Sequence, residues 1–194
     1  MSHTIYKCKN LDDIPEMRYF DPQKTNGKTY TVACENEERS HDLLFQTCKL
    51  EISNMDEETV EFLCDSEVMP AFFTRMSELH LAHAVDVKDQ WFPGKNISEE
   101  VLPDLWKDTL AKGRFKVKVN QDPDEPVLAF DLDRNQIALG DVSKGTQVVA
   151  LMRLDGLWFS RASLGESYTL VQFMTQDAIP KPKLTPVTAC ALDP

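Results

Sequence analysis

Residues 154–173 read LDGLWFSRASLGESYTLVQF. Two apolar runs flank a short polar stretch with one glycine, the layout of a β-hairpin. In GLWFSRA (156–162), Leu157, Phe159 and Arg161 share one side, and Trp158 and Ser160 the other, because strand side chains alternate. A small one-layered barrel has a single core face. One ring of the Trp158–Phe159 pair is therefore expected to leave the core, towards solvent, a ligand or a covering element. An unpaired base stacks on an exposed aromatic ring for about 1–3 kcal/mol. Arg153 and Arg161 bracket the pair and could reach phosphates beside it; Tyr168, on the following strand, is a further ring for stacking. Packing of Trp158 beneath a helical insertion is the alternative.

Outward from this hairpin the chain is mostly β. KTYTVAC (28–34), LLFQTCKLEI (43–52) and TVEFLC (59–64) read as strands before residue 65, and RFKVKVN (114–120), PVLAFDL (126–132), TQVVALMRL (146–154), GLWFSRA and SYTLVQFM (167–174) as strands after residue 113. Between them, residues 67–92 carry Met69, Phe72, Phe73, Met76, Leu79, His80, His83, Val87 and Trp91 on one stripe at helical spacing. Pro70 suits the first turn and Pro93-Gly94 a stop. A second helix is expected from Ser98, a capping residue, to Gly113. The expected fold is mainly β, or α+β: an OB-like antiparallel β-barrel with a two-helix insertion at about 67–112. One domain is expected over 1–178, with a proline-bearing tail over 179–194.

The strand RFKVKVN places Arg114, Lys116, Lys118 and Asn120 on one face and Phe115, Val117 and Val119 on the other. A row of like charges is self-repelling and becomes useful when a polyanion lies across it. A solvated face or a charged edge strand is the plainer reading. Net charge is −11, with six carboxylates in 56–67 and four bases in 112–118. This opposes bulk electrostatic binding of nucleic acid, yet allows a local basic groove.

Other chemistry is weakly signalled. The five cysteines are widely spaced without a CxxC pair, which favours free thiols in a reducing, intracellular compartment. No run reaches membrane-spanning length, and residues 1–13 lack the apolar region of a secretory signal. His80, His83 and Asp86 have zinc-like spacing, but both histidines fall in the apolar stripe, which favours core or interface roles. Asp131 and Asp133 suit a turn better than a metal pair. GxSxG, HExxH and P-loop patterns are absent, so the expectation is no enzyme and no cofactor or metal.

FQTCKLEI (45–52), WFPGKNISEEVLPDLWK (91–107), RFKVKV, AFDLD (129–133) and the opening hairpin together resemble a poorly characterised protein family of nucleocytoplasmic large DNA viruses. The resemblance covers roughly residues 28–176. Cys48 stands where that family usually has proline, and Leu164-Gly165 replaces its Phe-Gly. Distant members are similar to OB-fold single-stranded DNA-binding proteins of viruses and phages. Such phage proteins often end in an acidic tail with a terminal aromatic, whereas TACALDP (188–194) has one acid and no aromatic. The resemblance implies coating of single strands during viral replication or repair, in the cytoplasm or nucleus of an infected cell, or in the virion. Possible partners are replication proteins or further copies of the chain.

The leading expectation is a non-enzymatic protein that binds single-stranded DNA, or RNA. Arg114, Lys116, Lys118, Arg153 and Arg161 would contact phosphates, and Trp158, Phe159 or Tyr168 would stack on bases. The alternative is a virion structural or assembly protein acting through protein contacts, with Trp158 or Trp91 as a buried anchor.

Overall fold

The computed structural model describes residues 4–25, 28–38, 41–92 and 97–176. The strands are β1 (Ile5–Lys7), β2 (Met17–Tyr19), β3 (Gln23–Lys24), β4 (Tyr30–Val32), β5 (Cys34–Asn36), β6 (Leu44–Met55) and β7 (Thr59–Leu63). After helix α1 (Val68–Trp91) come β8 (Arg114–Val119), β9 (Leu128–Phe130), β10 (Gln136–Ile137), β11 (Gln147–Phe159) and β12 (Leu164–Thr175). The fold is a mainly β mixed sheet with one long helix.

Five strands form a closed hydrogen-bonded circuit. β6 pairs antiparallel with β7 and β11, β7 with β8, and β11 with β12. A parallel pairing, Thr169 with Lys118 and Leu170 with Val119, joins β12 to β8 and completes it. Alternation, interrupted by register shifts in β6, β11 and β12, fills the inside. Phe45, Leu50, Ile52, Phe62, Phe115, Met152, Tyr168 and Phe173 belong to one buried cluster. Met69, Phe72, Phe73 and Met76 of α1 pack into the same cluster, so the helix seats on the circuit. Burial of such a side chain contributes roughly 1.5–3 kcal/mol. The other end of α1 joins a second cluster, with Ala84, Trp91 and Phe92 against Val32, Leu157, Phe159 and Leu164.

Four expectations change. The sheet is mixed rather than antiparallel throughout, because β12 pairs parallel with β8 and β9, and β1 with β6. The second helix is a single turn, Leu102–Leu105. Pro103 enters it, and Trp106 then turns extended (ψ 136°) to bridge Leu164, while the Lys107 amide donates to the Leu164 carbonyl at 2.8 Å. Pairing with β12 wins over helix propensity there. The runs 146–154 and 156–162 are one strand, β11, whose register shifts between Leu154 and Gly156. Gly156 has φ +121°, and any side chain there would strike the backbone of Val32 and Ala33. The hairpin turn lies at 160–163, because β11 ends at Phe159 and β12 begins at Leu164. The segment 28–34 is divided between β4 and β5. The expected helix stop at Pro93-Gly94, residues 179–194 and Cys190 lie outside the described residues.

No described helix is long and apolar enough to cross a membrane. Cys8, Cys34, Cys48 and Cys64 are free thiols. Asp131 caps a turn, accepting from the Asn135 amide at 2.8 Å. Among the described residues no group of three or more His, Cys, Asp or Glu side chains is placed to hold a metal.

Candidate nucleic-acid interface

β7 and β8 present polar side chains outward and apolar ones inward. Arg114, Lys116 and Lys118 are exposed in a row, backed by buried Phe115 and Val117. Their register partners on β7 are Leu63, Glu61 and Thr59. Glu61 Oε2 lies 3.3 Å from Arg114 and accepts from the Ser53 hydroxyl at 2.7 Å. The Ser53 bond, followed by the two neighbouring bases, holds its carboxyl below the usual carboxylate range.

Lys118 also lines a groove with Trp158, Asp155, Ser167, Thr169, Thr31 and Ala33. Asp155 is its hub. One oxygen accepts from Thr169 at 2.9 Å, Ser167 at 3.2 Å and Lys118 at 3.4 Å, and the other lies 3.7 Å from Arg153. Arg153 is half-buried and is also within reach of Glu125 (3.3 Å) and Asp42 (3.7 Å). It sits among three carboxylates, so an incoming phosphate would have to compete for it.

Trp158 faces this groove, half-buried, rather than lying under α1. Its indole N–H donates to the Glu166 carbonyl at 3.2 Å. Its cross-strand partner is Gly165. A Cβ at Gly165 would come within 2.8 Å of the indole ring, so only glycine lets the ring lie flat against β12.

Two expected stacking residues are not available. Phe159 is 2% exposed, sandwiched between Tyr30 and Trp91 with both interplanar angles 8°. Tyr168 is also 2% exposed and packs against Phe72 and Phe73 inside the circuit. The alternation of β11 thus sends Trp158 outward and Phe159 inward. Trp91, the other proposed protein anchor, is 6% exposed and committed to the chain's own core.

Arg161 lies away from Lys118 and Trp158, in the 160–163 turn. That turn is closed by the Ser160 amide donating to the Ser163 carbonyl at 2.8 Å. Arg161 lines a different cleft, with Lys24, Lys28, Tyr30, Gln90, Trp91 and Phe92. Sequence reasoning missed this cleft because its parts come from three distant segments, and two-residue β3 carries no periodic signal.

The histidines follow the core expectation. His80 is fully buried; its Nδ1 is 2.7 Å from the Tyr19 hydroxyl, and its Nε2 faces Glu166 Oε2 at 3.5 Å. His83 stacks on Tyr19 at 3.8 Å between ring centroids. Burial lowers His80 to about 3 and raises Glu166 to about 7, while Thr109 donates to Glu166 Oε1 at 2.8 Å. The contact ties α1 to β12 at the residue whose carbonyl accepts from Trp158. Glu166 gave no sequence signal, since an acid between Gly165 and Ser167 reads as a turn.

A family model matches residues 48–185. The chain belongs to DUF5871. That is a family of unknown function. No functionally curated protein matches the sequence. Three solved structures are similar in fold at low identity. The single-stranded DNA-binding protein from bacteriophage Enc34 gives a TM-score of 0.46 at 10% identity, covering 88% of this chain and 96% of the phage protein. The Enc34 protein in complex with single-stranded DNA gives 0.45 at 9% identity, covering 81% and 95%. gp2.5, a single-stranded DNA-binding protein encoded by bacteriophage T7, gives 0.46 at 13% identity, covering 78% and 97%.

Proposed function

We propose that this chain is a non-enzymatic single-stranded DNA-binding protein, and that its five-strand circuit is an OB-like barrel. The observation that carries the reading is the groove in which Lys118 and Trp158 lie together, continued by Lys116 and Arg114 along β8. β7 and β8 are the second and third strands of the circuit, and OB barrels bind oligonucleotides on that face. Phosphates would follow Arg114, Lys116 and Lys118, and a base would stack on Trp158. Arg153 has a weaker part because of its three carboxylates. The setting we infer is replication or repair in a virus-infected cell.

The acids beside the bases fit this reading. Asp155 and Glu61 act as resident counter-ions, which a strand must displace. They hold the bases apart in the free protein and lower affinity for loosely presented polyanions.

A fluorescent oligothymidine titration over a salt series tests the proposal. Affinity should rise steeply as salt falls, and log K against log salt should be linear, with a slope of about −0.7 per phosphate contacted. Absence of binding at the lowest salt overturns it.

A further inference from the structure

The cleft around Arg161 differs from the groove in make-up. Lys24 and Tyr30 are register partners on the β3–β4 hairpin, which the Thr25 amide and hydroxyl close by donating to the Thr29 carbonyl at 3.0 and 3.1 Å. Lys28 stands in the same hairpin. Arg161 approaches from the β11–β12 turn, and Gln90, Trp91 and Phe92 from the end of α1. Lys24, Lys28 and Arg161 are all exposed. Among the described residues no carboxylate lines the cleft, although the chain has 32 acids against 21 lysines and arginines.

The cleft floor is a column of near-parallel rings: Tyr30 over Phe159 at 5.2 Å, and Phe159 over Trp91 at 5.3 Å. Phe92 abuts Phe159 edge-on at 5.1 Å. Tyr30 is the half-buried, accessible member. Three bases gathered on an apolar floor repel one another unless an anion sits among them. The volume, about 500 Å³, falls within the range of small-ligand sites.

We propose that this cleft binds one nucleotide unit: a planar base against Tyr30 and a phosphate among Lys24, Lys28 and Arg161. Arginine grips phosphate through its planar fork, and lysine as a point charge. The ligand is a nucleoside monophosphate or the phosphorylated end of a strand, which share this chemistry. The cleft is built on the side of β11 to which Phe159 points, opposite the Trp158 groove, so the proposal stands whether or not the groove binds DNA.

The test is calorimetric titration of the full chain with thymidine monophosphate, thymidine and inorganic phosphate, at low salt. The monophosphate should bind at least about tenfold more tightly than either part alone, since charge-assisted bonds and stacking act together. Arg161→Ala and Lys28→Ala should each weaken it about tenfold, whereas Lys116→Glu should leave it unchanged. Competition in the Lys116→Glu background assigns the source. Displacement by a phosphorylated oligothymidine, but not by its unphosphorylated twin, identifies a strand end; displacement by neither identifies a free nucleotide. The proposal is overturned if the monophosphate fails to bind, if inorganic phosphate binds as tightly, or if Arg161→Ala has no effect. Failure of the groove alone would show as lost oligonucleotide binding with nucleotide binding intact.

Discussion

The groove and the cleft use the same residue types, bases beside an aromatic ring, but differ in what neutralises the bases. In the groove, Arg114, Lys118 and Arg153 each have a carboxylate within 4 Å: Glu61, Asp155, or the trio Asp42, Glu125 and Asp155. In the cleft, Lys24, Lys28 and Arg161 have none lining the site with them among the described residues. A compensated surface is stable when empty and exchanges counter-ions when filled. An uncompensated one is under repulsion when empty and gains directly from an anion. The groove should therefore be the more selective of the two, and the cleft the more attractive to any small anion.

The sharpest way to break this contrast is through the rings. Trp158→Ala should cost oligonucleotide binding about 1–3 kcal/mol, read by fluorescence anisotropy, with nucleotide binding at the cleft unaffected. An equal loss at both sites would mean that they are one surface. Next in size is charge. Lys116→Glu should lower the slope of log K against log salt by about 0.7 and weaken binding severalfold. Retention of the full slope would remove β8 from the interface.

The opposite sign is expected for the counter-ions. Glu61→Gln should tighten oligonucleotide binding by a few-fold, about 0.5–1 kcal/mol, because Arg114 is left without its competitor. Weaker binding in that variant would mean that Glu61 positions the base rather than competing for it.

The smallest effect on binding, though not on stability, belongs to the buried His80–Glu166 pair. With Glu166 at about 7 and His80 at about 3, the folded pair holds one proton across that interval. Unfolded, with ordinary values of 4.5 and 6.5, the two groups also hold one proton between those limits. Stability should therefore be flat from pH 4.5 to 6.5. It should fall as pH rises from 6.5 towards 7, where only the folded state keeps a proton, and as pH drops from 4.5 towards 3, where the unfolded state takes up an extra one. In Glu166→Gln the alkaline loss should vanish, and the acid loss should begin at 6.5. Denaturant melts at stepped pH check this; an unchanged profile would show that the pair does not titrate as described.

Much of this was legible in the sequence, and for definite reasons. β8 alternates strictly and α1 carries a long stripe, so both were readable with their faces. The resemblance implied single-strand binding, which is the function we propose. The hairpin pattern implied that one ring of Trp158–Phe159 leaves the core, but not which, because parity alone is symmetric. The bulge at Gly156 fixes it, by letting β4 approach with Tyr30 opposite Phe159. Residues 98–112 were misread because apolar spacing outweighed Pro103. Tyr168 looked like a platform because an aromatic in a strand reads the same on either face. The counter-ions Asp155 and Glu61 were invisible, since they meet their bases only through cross-strand register.

The glycine beneath Trp158 has one more consequence. The ring rests on Gly165 and is anchored by its N–H to the Glu166 carbonyl. It is therefore already held in place for the base that we propose stacks on it. A free aromatic side chain would surrender about 0.5–1.5 kcal/mol of rotamer freedom on being immobilised, and this one has little left to surrender. A methyl group at Gly165 would leave every contact residue in place and still remove that advantage, by setting the platform loose.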